Sequence, residues 1–199
     1  MNRDSELNKI CLAIAEGKDL IPAPKVVEVL IAEEKKAKKL KAQNFFADLV
    51  GTWRLGFVTG TKKTRKRAGV VLGAGKYLPK LTKITITYSQ DPSLNSEQGW
   101  VENCVSVSGF QLSLKGPVKF LATKNILVFD FTRLKLELFG QKIYDNYLKS
   151  GKTKEISFFS DSIKKQAFFA YFYIDSAAIA ARGKGGGLAI WTNNQTKPN

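Results

Sequence analysis

The sequence has no histidine at all. That removes the side chain most often used as a general base near neutral pH, and the most frequent transition-metal ligand. Cysteine occurs only twice, at Cys11 and Cys104, in unlike surroundings. Two isolated cysteines make no disulfide framework, so buried thiols are expected. No apolar run reaches the roughly 18–20 residues that a membrane-spanning helix requires. The opening MNRDSELNK contains Asp4 and Glu6 and no apolar core. It resembles neither a secretory signal nor an acid-poor transit peptide, so the chain is expected to stay in the compartment where it is made. Phosphate-loop chemistry is excluded as well. Before Gly75-Lys76 the first glycine of such a loop would fall at Val70, and Tyr77 stands where Ser or Thr is required. A dinucleotide motif would need glycine at Leu78. No catalytic residues, metal ligands or cofactor are therefore expected.

What the chain has is positive charge. The 199 residues carry a net +15, which predicts an anionic partner, a membrane surface or a nucleic acid. The first 42 residues hold nine basic and seven acidic side chains, so most of the excess lies beyond them. Its densest point is TKKTRKR, residues 61–67. There Lys62, Lys63, Arg65, Lys66 and Arg67 read as an exposed loop against anionic lipid.

Hydropathy patterning divides the chain into 1–45, a helical segment; 46–193, a β domain; and 194–199, a polar tail. Leu7, Ile10, Cys11 and Ile14 fall at helical spacing between Ser5, read as the N-cap, and Gly17, read as the stop. A second helix enters at Pro22 and Pro24, with Val26, Val27, Leu30 and Ile31 as its apolar stripe. Residues 33–41 read as its solvated face. From Leu49 the period shortens to two, with Trp53, Leu55 and Phe57 expected on one face.

Further strands follow, with turns at residues 91–99 and at Gly116-Pro117. Residues 141–166 are basic and polar and read as a long loop containing a short helix. Roughly eight to ten short strands with turns every ~8–12 residues suit an antiparallel sandwich or barrel.

The densest apolar stretch comes last. Phe168 to Tyr173 is an aromatic run fit to be buried on both faces, so 167–174 is expected to be a strand. Two more strands flank Gly183-Lys184-Gly185-Gly186-Gly187, a glycine-rich turn. Asp175 and Arg182 interrupt this ribbon. A charge beside a buried strand needs a partner, so the two are expected to pair.

Gly51-Thr52-Trp53 on the first strand and Arg182 near the last resemble the lipocalin signature, in which a closing arginine lies across a tryptophan. A wider resemblance covers LVGTWRLGFVTG (49–60), GWVENCVSVSG (99–109) and YFYIDSAAIAARGKGGGLAIW (171–191). Together these are similar to the plastid lipid-associated proteins, or plastid fibrillins. Asp175, Arg182 and Gly183 match that family's closing positions. The resemblance implies a lipocalin-like antiparallel β-barrel preceded by two α-helices, with Trp53, Asp175 and Arg182 at its closure. It implies a non-enzymatic protein that binds or organises a lipid, quinone or carotenoid at a photosynthetic membrane. That location would be peripheral, on the cytoplasmic side of a thylakoid in a cyanobacterial-type member, or in a plastid for a trimmed plant or algal chain. The inward candidates for such a ligand are Trp53, Phe57, Phe129, Phe131, Phe172 and Trp191. The competing reading of the charge is a basic nucleic-acid-binding module.

Overall fold

A computed structural model describes residues 5–40, 43–60, 75–79 and 81–193. The expected basic loop at 61–67 and the expected tail at 194–199 lie outside the described residues. Helix α1 is Glu6–Glu16 and α2 is Ala23–Leu40. The Ser5 hydroxyl caps α1 by accepting the Asn8 N–H at 3.2 Å, and Gly17 ends it in the left-handed region at φ 64. A 3-10 turn at Phe46–Leu49 leads into β1, Gly51–Val58.

The remaining strands are β2 Lys76–Tyr77, β3 Lys83–Gln90, β4 Gln98–Val107, β5 Phe110–Leu121, β6 Ile126–Phe129, β7 Arg133–Leu138, β8 Gln141–Tyr147, β9 Ala167–Ile174, β10 Ala178–Gly183 and β11 Leu188–Asn193. Helix α3, Gly151–Ser157, lies between β8 and β9.

Eight strands close into the expected antiparallel barrel. Taken round the wall they are β1, β3, β4, β5, β6, β9, β10 and β11, each paired with the next in chain order. Closure comes from β1 against β11, where Leu55 faces Trp191 and Val58 faces Ala189. Strands β2, β7 and β8 lie outside this ring.

Three expectations change. Gly116-Pro117 is not a turn but the middle of β5. The N-terminal half of that strand pairs with β7 and its C-terminal half with β6. Proline is tolerated there because one neighbour changes at that point, so a missing donor need not break a ladder. Gly116 is required because a Cβ would strike the Asp130 carbonyl. Second, residues 141–147 form β8 rather than loop. Third, strict alternation in β1 fails at a bulge between Leu55 and Phe57. The extra residue, Gly56, turns Phe57 to the opposite face.

The wall from β9 to β1 is covered twice. Its inner face meets the lumen. Its outer face meets α1 and α2, where Leu7, Ile10, Cys11, Val26, Val29 and Leu30 pack with Phe57, Ala178, Ala180, Leu188 and Ile190. This double burial accounts for the unbroken apolar character of the last strands. An 11-residue helix is marginal alone. Fully burying each aliphatic side chain contributes about 1.5–3 kcal/mol, so docking rather than propensity holds α1. The Tyr173 hydroxyl to Asn8 Oδ1 at 2.9 Å and the Tyr77 hydroxyl to the Ile21 carbonyl at 2.6 Å pin this layer. Burial among these groups pushes the Cys11 thiol up to about 12.

Candidate functional site

The lumen is built from alternate residues of the barrel strands. Trp53, Tyr88, Val101, Phe120, Phe129, Tyr171, Ile179 and Trp191 all point inward. One end is stoppered by the 3-10 turn. Phe46 and Leu49 are fully buried there, Phe46 meets Tyr88 edge-on at 6.3 Å, and Trp53 Nε1 donates to the Leu49 carbonyl at 2.8 Å. From the other end a chain of rings runs inward. Phe131 meets Phe129 at 5.3 Å, Phe129 stacks on Phe169 at 4.9 Å, and Phe169 meets Trp191 at 5.3 Å. Deep in the lumen the hydroxyls of Tyr88 and Tyr171 share a hydrogen bond at 2.8 Å. Burial pushes both phenols well above their ordinary range, so both remain neutral.

Four of the six expected inward residues are therefore brought together: Trp53, Phe129, Phe131 and Trp191. Phe57 and Phe172 are not. Both face the helices, Phe57 because of the Gly56 bulge. A second bulge, between Ala180 and Ala181, gives Tyr171 and Tyr173 consecutive partners on β10, so Phe172 has no opposite number.

The expected partners of Arg182 are also corrected. Trp53 lies inside the wall and Arg182 outside it, so the closure holds without a stack between them. Arg182 does not pair with Asp175 either. Its guanidinium grips both carboxylate oxygens of Glu34 on α2, with Nε to Oε1 at 2.9 Å, and donates to the Gly186 carbonyl at 2.7 Å. Glu34 is only 8 % exposed, although 33–41 reads as a solvated face. The Arg182 hydrogen bond holds the Glu34 carboxyl below its usual range. Asp175 turns inward on its own loop, accepting the Ala177 N–H at 3.0 Å.

Sequence reasoning missed the face that distinguishes this barrel. Directly opposed residues on paired strands share a face. On β5 the lumen side continues from Phe120 and Val118 through Gly116 to Leu114, Leu112 and Phe110. Opposite these lie Val101, Asn103, Val105 and Val107 on β4, and Leu134, Leu136 and Leu138 on β7. Ile84 on β3 and Tyr144 on β8 extend the same face. Leu112, Leu114, Leu134, Leu136, Val105 and Ile84 are half-exposed, and Val107, Phe110, Leu138 and Tyr144 are exposed. Asn103 and Asn146 are its polar interruptions. The result is an apolar trough running out of the lumen past Phe131 along β5, whose length from Phe110 to Phe120 is roughly 33 Å. The alternation in Leu134, Leu136 and Leu138 signalled one apolar face. Nothing local signalled that it would stay uncovered.

The reverse side of the same strands is charged. Glu102, Ser113, Lys115, Arg133, Lys135 and Asp145 line a cleft there of ≈ 240 Å³. Among the described residues no group of three or more His, Cys, Asp or Glu side chains could hold a metal ion, and no helix is long and apolar enough to cross a membrane. No protein-family model matches the chain, and no curated protein matches it significantly.

Proposed function

We propose that the protein binds an elongated apolar molecule, a lipid, quinone or carotenoid, along the lumen side of β4, β5 and β7, without transforming it. The single observation that carries this reading is the trough. Soluble proteins rarely leave contiguous large apolar side chains open, and a strip that continues a barrel lumen is suited to a chain-like ligand. One end of the ligand lies against Phe131 and Phe129, and the chain runs outward over Leu114, Leu112, Leu134 and Leu136. The resemblance of 49–60, 99–109 and 171–191 to plastid lipid-associated proteins supports the same ligand class and a peripheral place at a photosynthetic membrane.

The test is quenching of Trp53 and Trp191 by a quinone or a polyene, alongside organic extraction of the purified protein and mass spectrometry of the extract. Leu114→Glu and Leu136→Glu place charge on half-exposed positions that the fold does not bury, so both variants should melt near the parent. We expect saturable quenching in the parent and its loss in both variants. Equal quenching in parent and variants overturns the reading. So does tight nucleic-acid binding by a parent that ignores every apolar probe.

A further inference from the structure

Three large apolar side chains stand in water at the far end of the sheet. Leu81, just before β3, is 91 % exposed; Phe139, in the β7–β8 turn, is 79 % exposed; Ile143, at the bulge in β8, is 63 % exposed. Leu81 and Phe139 belong to one surface, and Ile143 lies on the strand that leaves the Phe139 turn. The Phe139 N–H donates to the Gly109 carbonyl at 2.7 Å, joining the β7–β8 turn to the β4–β5 turn. The Phe139 ring lies over Gly109, where a Cβ would collide with it. Leu81 and Phe139 line the same open cleft of ≈ 600 Å³.

Phe139 is also the wrong residue for its backbone. Both turns carry two consecutive left-handed residues: Ser108 at φ 47 and Gly109 at φ 83, then Phe139 at φ 49 and Gly140 at φ 79. Such hairpin turns favour Asn, Asp or Gly. A bulky side chain in the left-handed region is disfavoured, because its Cβ crowds the following carbonyl oxygen. Phenylalanine at 139 thus opposes the turn and gains little burial in return. Strain of this kind, held at an exposed tip, points to a partner outside the molecule.

Two features select the partner. The exposed groups protrude from turns and a bulge, which suits entry into a soft apolar medium. The chain carries +15; Lys83 lines the cleft beside Glu137, and Lys142, 62 % exposed and 3.7 Å from Asp145, adjoins Ile143. We infer that this end of the sheet docks on an anionic lipid bilayer. Leu81, Phe139 and Ile143 enter the boundary between headgroups and acyl chains, and the flanking lysines meet the phosphates. Docking stands on these residues alone. Only its consequence rests on the proposed function: the tips adjoin the open end of the trough, so an apolar ligand passes between bilayer and trough without crossing water.

The experiment is co-sedimentation with vesicles of phosphatidylcholine mixed with phosphatidylglycerol, in low and high salt. It compares the parent with Phe139→Asn and with the triple variant Leu81→Ser, Phe139→Asn, Ile143→Thr. We expect the triple variant to lose at least about tenfold in partitioning, since apolar insertion sets much of the binding strength. The Phe139→Asn variant should melt at or above the parent, because asparagine suits the left-handed turn. Quenching by apolar probes in detergent should be unchanged in both, which separates docking from ligand binding. Parent-like partitioning of the triple variant overturns the inference. It is equally overturned if the parent ignores vesicles and instead self-associates through these residues, because the occupant is then a second copy.

Discussion

Replacing Glu34 by Gln tests how α2 is fastened to the barrel. The substitution keeps the side chain's shape and removes its charge. Arg182 then loses the carboxylate that it grips with Nε and a terminal nitrogen, while keeping the Gly186 carbonyl. Hydrogen bonds to charged groups contribute about 1.5–3 kcal/mol, and removing one partner of a wholly buried pair costs about 3–5 kcal/mol. Arg182 retains 33 % of its side-chain exposure and Glu34 10 %, which places this pair near the lower figure. The amide oxygen of Gln recovers part of that, so a loss of about 2 kcal/mol is expected, or about 4–8 °C in melting temperature for a chain of this size. Lys38 also reaches Glu34, at 3.1 Å, but at 73 % side-chain exposure it adds little. The effect must depend on pH. The folded-state pKa of Glu34 is depressed below its ordinary 4.5, so the unfolded chain binds the proton more readily. The pair's contribution is then fully present above about pH 4.5 and is lost as pH falls through the folded value. Urea melts of parent and variant should differ at pH 7 and converge in acid. Identical melts at pH 7, or a difference that persists undiminished in acid, would refute the clamp.

Two further perturbations probe the wall. Tyr171→Phe leaves the buried Tyr88 hydroxyl without its 2.8 Å partner and should cost about 1–3 kcal/mol; adding Tyr88→Phe should cost less than the sum, and strict additivity in the double-mutant cycle would show that the phenols are uncoupled. Gly56→Ala puts a Cβ into Ile14 Cγ2 and should loosen α1 from the bulge, read as faster amide exchange in residues 6–16; adding Ile14→Ala should restore protection. Unchanged exchange in the single variant would mean that α1 does not bear on Gly56.

The local pattern of this chain was enough for most of its elements, though not for β8 or for the passage of β5 through Gly116-Pro117. Ser5 and Gly17 bound α1 because caps are short-range hydrogen-bond chemistry. The aromatic run at 167–174 is β9, residue for residue, and the glycine-rich stretch after Arg182 is a hairpin turn. Strand number and spacing left sandwich and barrel both open; closure of the first strand on the last was expected from the resemblance of Gly51-Thr52-Trp53 and Arg182 to the lipocalin signature, and four of the six aromatics expected inward line the lumen. Side assignment failed at the bulges, because a single extra residue reverses a face and leaves no mark in composition. Phe57 and Phe172 went to the wrong side for that reason. The partner of Arg182 was also out of reach, since a carboxylate 148 positions away is chosen by how α2 lies on β9, the neighbour of β10. Asp175, nearer in sequence, is occupied by its own turn. The trough is the clearest case of a tertiary decision. Leu112, Leu114, Leu134 and Leu136 alternate as any half-buried strand does, but only the splitting of β5 between β6 and β7 carries half of that face beyond the closed ring and leaves it open.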